Sequence, residues 1–228
     1  MISTIMRPSR LGAALALLLA GCAQSPAPAP PSITQTSTQR GTAINPANIR
    51  RVGRDLPPGY EVSNVPRAAS PRAIWGVGGD AGVVPPQCIA LAEPATEPDP
   101  AAQGVSGSGP GGILDAVVVP VAAGSRPNRE LVSACARWEL SAGRTKVSIQ
   151  SADAPRIDGA ETIGMVADIR AAVESGSEID SRAYTFVAYL GQYCAFTTLT
   201  TDPGSMLPPL PAQFAADLLA KTVSTLRG

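Results

Sequence analysis

The residue of this chain with the clearest chemical context is Cys22. It follows Leu19-Ala20-Gly21, and before these small residues come an apolar run over 11–20 and the basic residues Arg7 and Arg10. A charged start, a short apolar stretch and small residues before a cut are typical of a secretory signal peptide, and the apolar run is too short to span a bilayer. A cysteine directly after the cut predicts a lipobox, in which the Cys22 thiol receives a diacylglycerol.

The lipobox predicts the organisation of the whole chain. We expect residues 1–21 to be a lipoprotein signal peptide, residues 22–40 a lipidated cysteine with its tether, and residues 41–228 one domain. The tether consists mainly of Pro, Ala, Ser, Thr and Gln, a composition that cannot bury enough apolar surface to fold. Since two or three acyl chains hold a protein stably on a membrane, we expect it at the extracytoplasmic face of a cell membrane, anchored through Cys22.

Three further cysteines, Cys88, Cys135 and Cys194, follow the tether. Disulfides persist in the oxidising compartment that a signal peptide implies, and three cysteines allow one bridge and one remaining thiol. We predict a bridge between Cys88 and Cys135, because Cys194 lies in a strand-like apolar stretch where a free cysteine behaves as a small buried hydrophobe. Pairings that involve Cys194 are the alternatives.

Histidine is absent from the chain, which excludes Ser-His and Cys-His nucleophilic pairs and imidazole metal sites. Carboxylates cluster at Glu174, Glu178 and Asp180. Two carboxylates suffice for a glycosidase, and acidic side chains also bind calcium, although the EF-hand spacing is missing. The stretch is more typical of a solvated turn between strands. We therefore expect a protein that is not an enzyme and has no catalytic residue, metal site or cofactor.

A glycine motif over 107–112, GSGPGG, matches the G-x-G-x-x-G expression of dinucleotide-binding folds. That fingerprint requires a strand before the glycines and a helix after them. Here the sequence predicts a surface excursion from Glu93 to Gly112 and then a strand over 113–121, so we do not predict a nucleotide site. Removal of Arg7 and Arg10 with the signal peptide leaves 16 basic and 18 acidic residues, a balance that does not favour nucleic acid.

Periodicity and turn residues predict an α+β domain with about five or six mostly antiparallel strands, two or three packed helices and one disulfide. Strands are expected at 60–63, 113–121, 145–150, 161–169, 184–190 and 193–200. Helices are expected after an Asn45 cap, after Pro86, at Pro127–Arg137 and at Ala212–Arg227. The strand over 184–190 is apolar on both faces, which indicates a central strand covered on both sides.

Aromatic residues make up only 4% of the chain, so those that are present mark either a core or a cleft. In the helix expected at Pro127–Arg137, Leu131, Cys135 and Trp138 share one face at helical spacing. Four aromatic residues are the candidate lining of a ligand cleft, with plain core packing as the alternative: Trp75, Trp138, Phe186 and Tyr189.

Seven segments after the tether form a specific combination: LPPGYEV from Leu56, PPQCIALA from Pro85, SGSGPGG from Ser106, DGAETIGM from Asp158, TFVAYLGQY from Thr185, TDPGS from Thr201 and FAADLLAKTVSTLRG from Phe214. In this combination the chain resembles an uncharacterised family of mycobacterial and related actinobacterial lipoproteins. More distantly, it is similar to the extracellular sensor domains of mycobacterial serine/threonine kinases. That second resemblance implies an antiparallel sheet with helices on it and a ligand cleft. Those domains usually carry two disulfides, whereas this chain has cysteines for one.

The function we expect is a non-enzymatic binding module for an apolar ligand or lipid of the cell envelope, held on the membrane through Cys22. One alternative is a scaffolding lipoprotein in which a Gly-rich loop, residues 101–112, docks an envelope protein. A second alternative is a carboxylate-dependent hydrolase that uses the Glu174, Glu178 and Asp180 cluster.

Overall fold

The computed structural model describes residues 43–94, 101–122, 124–173 and 176–228. Within them nine strands form one antiparallel sheet in the order β1-β3-β4-β9-β8-β7-β6-β5-β2. The strands are β1 (Glu61–Asn64), β2 (Gly82–Val84), β3 (Gln103–Gly109), β4 (Gly112–Pro120), β5 (Arg137–Ala142), β6 (Thr145–Ala152), β7 (Glu161–Ala172), β8 (Glu178–Leu190) and β9 (Tyr193–Thr200). The predicted antiparallel sheet is confirmed, but the predicted number of strands was too low.

Short helices lie among the strands, and one longer helix follows them. They are α1 (Pro71–Ile74), α2 (Ile89–Ala92), α3 (Arg129–Ala134) and α4 (Ala212–Arg227), with 3-10 helices at Pro46–Asp55 and Pro86–Cys88. The predicted bounds of α4 are confirmed. The expected Asn45 cap is also present, since its side chain accepts a hydrogen bond from the Ala47 amide at 3.1 Å. Of the helices in the described ranges, none has the length and hydrophobicity to cross a membrane.

Both faces of the central strands β4, β9 and β8 are buried, and each face has its own core. Along β8, Phe186 and Ala188 pack into one cluster with α4 and the first 3-10 helix, whereas Val187 and Tyr189 pack into the other cluster. We call the two sides the α4 face and the α1 face, because α1 and its Trp75 pack on the second. This alternation follows from the period of two along a strand, and it confirms that β8 is a central strand covered on both sides.

The first and last described helices are joined on the α4 face. The Asn45 amide donates to the Leu226 carbonyl at 2.8 Å, and the Asn48 side chain donates to the Thr225 carbonyl at 3.1 Å. These bonds cap the C-terminal end of α4, whose last carbonyls have no partner within the helix.

The helix predicted at Pro127–Arg137 is shorter than expected. It ends at Ala134, and Trp138 lies in β5 opposite Ile149 of β6. Residues 137–141 alternate between exposed and buried, which is the pattern of a strand with one face on the core. The prediction that Leu131, Cys135 and Trp138 share one helix face was therefore wrong.

The surface excursion predicted from Glu93 to Gly112 was also wrong in its second half, where the Gly- and Ser-rich residues form β3. Residues 95–100 lie outside the described ranges. The glycines suit close packing, because a Cβ atom at Gly109 would collide with the ring of Tyr60. Tyr60 lies over this strand and donates its hydroxyl to the Pro110 carbonyl at 2.7 Å. The glycine motif is thus the tip of a β-hairpin, with β4 rather than a helix after it.

Candidate functional site

The disulfide predicted between Cys88 and Cys135 is confirmed. It joins the second 3-10 helix to the residue that follows α3, over a sequence separation of 47. Cys194 is a free, fully buried thiol in β9, and burial raises its pKa above the ordinary value. Since the thiolate is the reactive form, this side chain is inert in the folded protein. Cys22 lies outside the described residues.

The four aromatic residues of the predicted cleft do not share one face of the sheet. Trp75, Trp138 and Tyr189 are buried on the α1 face, and Phe186 is buried on the α4 face. All four are no more than 5% exposed. The two indole rings lie 6.2 Å apart and are tilted by 55°, an arrangement typical of packed aromatic pairs.

A polar row crosses the apolar core of the α1 face. In the register of β3, β4, β9 and β8, Ser106 lies opposite Asp115, Asp115 opposite Thr198, and Thr198 opposite Thr185. The hydroxyls of Thr185 and Thr198 are 3.0 Å apart, and the Trp75 indole donates to Thr185 at 3.1 Å. The row therefore runs from Ser106 in β3 to Thr185 in β8, where a hydrogen bond joins it to Trp75, the residue that follows α1.

A cavity of about 290 Å³ lies between this part of the sheet and the segment that leads into α1. Small-molecule sites have volumes of ~300–1,000 Å³, so this cavity lies just below that range and suits only a small ligand. Six of its lining residues are apolar, and two, Asp115 and Thr200, are polar. The apolar residues are Pro66, Ala68, Ala69, Ala73, Ile74 and Ile113.

Asp115 is the unusual residue of this cavity, because its side chain is charged and only 5% of the residue is exposed. Burial raises the pKa of its carboxyl to about 6, while a hydrogen bond with the Ser106 side chain acts in the opposite direction. Desolvation disfavours the charged form of an acid. Asp115 therefore titrates closer to neutral pH than an ordinary aspartate does, inside a mainly apolar pocket.

Thr200 is the second polar residue of the cavity, and its hydroxyl is buried without a hydrogen-bond partner among the described residues. Thr200 lies opposite Ile113 in the β4–β9 register, and Asp115 lies two residues further along β4 on the same face. Diagonal neighbours of this kind have Cα atoms ~7–8 Å apart. One ligand could therefore touch both side chains.

The segment 66–74, which includes α1, covers the sheet at the cavity and forms its roof. Glu93, which follows α2, holds this roof in place. Ser70 caps α1 and donates its hydroxyl to Glu93 Oε2 at 3.2 Å, while the Arg72 guanidinium pairs with the same oxygen at 2.8 Å. Arg72 also donates to the Gly78 carbonyl at 2.6 Å. The cation of α1 is therefore used to fix the roof and is not free to enter the cavity.

The carboxylate cluster that could have formed a hydrolase or calcium site is an ion-pair group at the surface. Glu178 and Asp180 both lie against Arg170, with distances of 3.6 and 3.1 Å to its Nε, and Glu174 lies outside the described residues. The two carboxylates are mostly exposed. No described feature isolates one of them in an apolar setting, as a raised-pKa general acid requires.

Three larger surface grooves, of about 690, 510 and 760 Å³, are lined by more polar and charged residues than the cavity. In the second groove Arg182 and Asp168 pair at 2.6 Å, and beside the third Arg126 and Glu161 pair at 3.1 Å. These charges satisfy one another at the surface. The smaller cavity is the better candidate because its carboxylate has no such partner among the described residues.

Sequence reasoning did not single out Asp115 or Thr200. The available signal was a lone acid inside the apolar run ILDAVVVP, which was predicted as a strand. In a strand covered on both faces, any charged residue must be buried. That signal locates Asp115, but the cavity beside it depends on where α1 lies.

The chain is similar to an uncharacterised mycobacterial domain. A family model described as a domain of unknown function, DUF5642, matches residues 45–227. The X-ray structure of an uncharacterised protein from Mycobacterium smegmatis, the Rv0999 ortholog, is similar with a TM-score of 0.57 and 19% identity, over 81% of this chain and 98% of that one. The extracellular domain of PknH from Mycobacterium tuberculosis is similar with a TM-score of 0.46 and 12% identity, over 81% and 92% of the two chains. No curated protein sequence matches the chain. The predicted resemblance is confirmed, and what the M. smegmatis structure shows is the fold alone.

Proposed function

We propose a function from the geometry of the cavity, because this chain belongs to the DUF5642 family, whose function is unknown. The protein is a non-enzymatic binding module that holds a small, mainly apolar molecule beneath α1. It acts at the extracytoplasmic face of a cell membrane, where a lipid on Cys22 anchors it. The molecule it holds is a component of the cell envelope.

The observation that carries this proposal is the cavity between the segment 66–74 and the strands β4 and β9. The space is open to solvent, since Pro66, Ala68 and Ala73 are exposed, so an apolar molecule that binds there removes apolar surface from water. Here an apolar space of about 290 Å³ is combined with a buried carboxylate and a hydroxyl that lacks a partner. A ligand that fills it would cover the apolar lining and lie against the Asp115 carboxylate.

The scaffolding alternative loses the feature on which it rested. Residues 103–109 are a strand within the sheet, paired with β1 on one side and β4 on the other. They are not an extended loop that a partner protein could enclose. The binding module is therefore the function that the described residues favour.

The test is native mass spectrometry on the chain from Ala23 to Gly228, produced in an actinobacterial host and purified without detergent. We expect a small molecule to co-purify at one per chain and to appear in a solvent extract. Ala73→Trp, which places a large side chain in the lining, should abolish it. The matched control is Ala134→Trp, since Ala134 is also exposed in a short helix but lines none of the pockets described above.

The two variants separate cavity binding from contamination. Loss of the molecule in Ala73→Trp alone supports the cavity as its site. Equal amounts in both variants, or a wild-type chain that carries nothing, would contradict the proposal.

Anchoring is tested separately, on the full-length chain in the same host. Labelled palmitate should enter the wild-type protein and remain with the membrane fraction. The Cys22→Ser variant should show neither property. A wild-type chain that incorporates no label would contradict the anchor and leave the cavity proposal unaffected.

A further inference from the structure

The Asp115 carboxylate has no cationic partner in the part of the chain that the structure describes. The ion pairs found there involve Arg72, Arg126, Arg170 and Arg182, and none of them involves Asp115. Buried charges in proteins are normally paired or bound to a metal. The Asp115 carboxylate has a hydrogen bond with the Ser106 hydroxyl, but its negative charge is not compensated by a described cation.

The cations nearest in sequence to the cavity do not pair with Asp115 in the described ranges. Arg72 precedes the lining residue Ala73, but its guanidinium is bound to Glu93 and to the Gly78 carbonyl. Arg67 lies between the lining residues Pro66 and Ala68, and it is exposed. The protein thus leaves the carboxylate unpaired next to an open apolar space.

Resting on the proposed binding function, we infer that the ligand is an amphiphilic amine, whose ammonium group pairs with Asp115 while its apolar part fills the space beneath α1. An ammonium group neutralises the carboxylate and donates hydrogen bonds to it, and such charge-assisted bonds are the strong ones.

Other occupants fit this lining less well. A bare calcium ion needs six to eight oxygen ligands, and only two of the eight lining residues, Asp115 and Thr200, offer a side-chain oxygen. A neutral alcohol would leave the Asp115 charge uncompensated. An anionic amphiphile would place two like charges together in a site of low dielectric.

Three probes of similar size test this inference: hexylammonium, hexan-1-ol and hexanoate. Each is titrated at pH 7.5 into the chain from Ala23 to Gly228, and binding is followed by amide chemical shifts of residues 66–74 and 113–115. We expect hexylammonium to bind at least about 10-fold more tightly than hexan-1-ol, because hydrogen bonds to charged groups contribute ~1.5–3 kcal/mol. Hexanoate should bind most weakly.

Two variants distinguish the failure of this inference from the failure of the proposed function. Asp115→Asn should bring hexylammonium down to the affinity of hexan-1-ol, and Ala73→Trp should weaken all three probes. If hexan-1-ol or hexanoate binds the wild type as tightly as hexylammonium, and Ala73→Trp still blocks binding, the amine is wrong while the cavity stands. If none of the probes shifts these amides, both the amine inference and the proposed binding function are wrong. The ranking on the wild-type chain decides the inference even where Asp115→Asn does not fold.

Discussion

Trp75 donates its indole N–H to the Thr185 hydroxyl at 3.1 Å, across 110 positions of sequence. The bond joins the residue that follows α1 to the centre of the longest strand of the sheet. Trp138 packs 6.2 Å from the same indole, but its own Nε1 is buried without a partner in the described ranges. Of these two neighbouring tryptophans, only Trp75 forms a hydrogen bond through its indole N–H in the described ranges.

This difference predicts unequal effects of the same substitution. Trp75→Phe and Trp138→Phe remove a similar ring volume, but only the first breaks a buried hydrogen bond. We expect Trp75→Phe to lower the free energy of unfolding by ~1 kcal/mol more than Trp138→Phe does, since a typical bond contributes about that much. Urea unfolding measures both, with the remaining tryptophan as the fluorescent reporter. Equal losses would show that the Trp75 bond adds no stability.

Asp115 predicts a pH dependence of stability. The folded chain keeps the proton of this carboxyl up to pH about 6, whereas the unfolded chain releases it near the usual pKa of 3.8. Between those values the folded state binds more protons, so stability falls as the pH rises through this window and is then level. The shift of about two pKa units corresponds to no more than about 3 kcal/mol.

The Asp115→Asn variant isolates that contribution. Its amide does not titrate, so the wild type should lose stability relative to the variant between pH 4 and 6. Above that range the difference between the two should be constant. Chemical unfolding at half-unit pH steps gives the difference curve, and other titrating groups cancel in it. A flat difference curve would mean that the carboxyl is not shifted.

Removal of the disulfide should lower the stability of the domain but leave the sheet intact. Cys88→Ala with Cys135→Ala frees a loop with a sequence separation of 47, and the chain-entropy model gives roughly 4 kcal/mol as an upper figure. Thermal unfolding of the double variant against the wild type measures it. Cys194 gives a separate prediction: in the chain from Ala23 to Gly228, which lacks Cys22, its thiol should react with a maleimide only after denaturation. Rapid labelling of the native chain would contradict its burial.

Gly112 is expected to tolerate no side chain. Its φ is +134°, and a Cβ atom there would collide with the Thr200 carbonyl oxygen beside the cavity. Gly112→Ala should therefore destabilise the chain by ~1–3 kcal/mol through backbone strain, and more if the β4–β9 register shifts. Gly79→Ala is the matched control, since nothing lies within 4 Å of its added methyl group. Similar melting temperatures for both variants would contradict this account.

Much of the region from residue 145 onwards could be predicted from the sequence, because its local signals agree with the packing. The β8–β9 hairpin turns at Gly191-Gln192 as expected, and Gly191 has the positive φ that such a turn requires. The bounds of β9 and α4 are those predicted. In these elements the apolar pattern, the turn residues and the helix stop all indicate one structure.

The strands β3 and β5 and the cavity could not be predicted in this way. β3 is rich in glycine and serine, residues that disfavour strands, and it is ordered by pairing with β1 and β4 and by the ring of Tyr60. Trp138 fits both a helical and a strand pattern, and only its pairing with β6 decides between them. The cavity depends on how α1 lies on the sheet, which Trp75 and Glu93 fix through partners distant in sequence.

The hydrogen bond between Asn45 and Leu226 has a practical consequence for how binding can be measured. It brings the start of the described domain and the end of α4 together on one side of the sheet, and the cavity lies on the other. A biosensor surface or fusion partner joined at either end of the domain attaches on the side away from the cavity. Binding constants obtained with the two attachments should therefore agree, which provides an internal check on surface-based measurements.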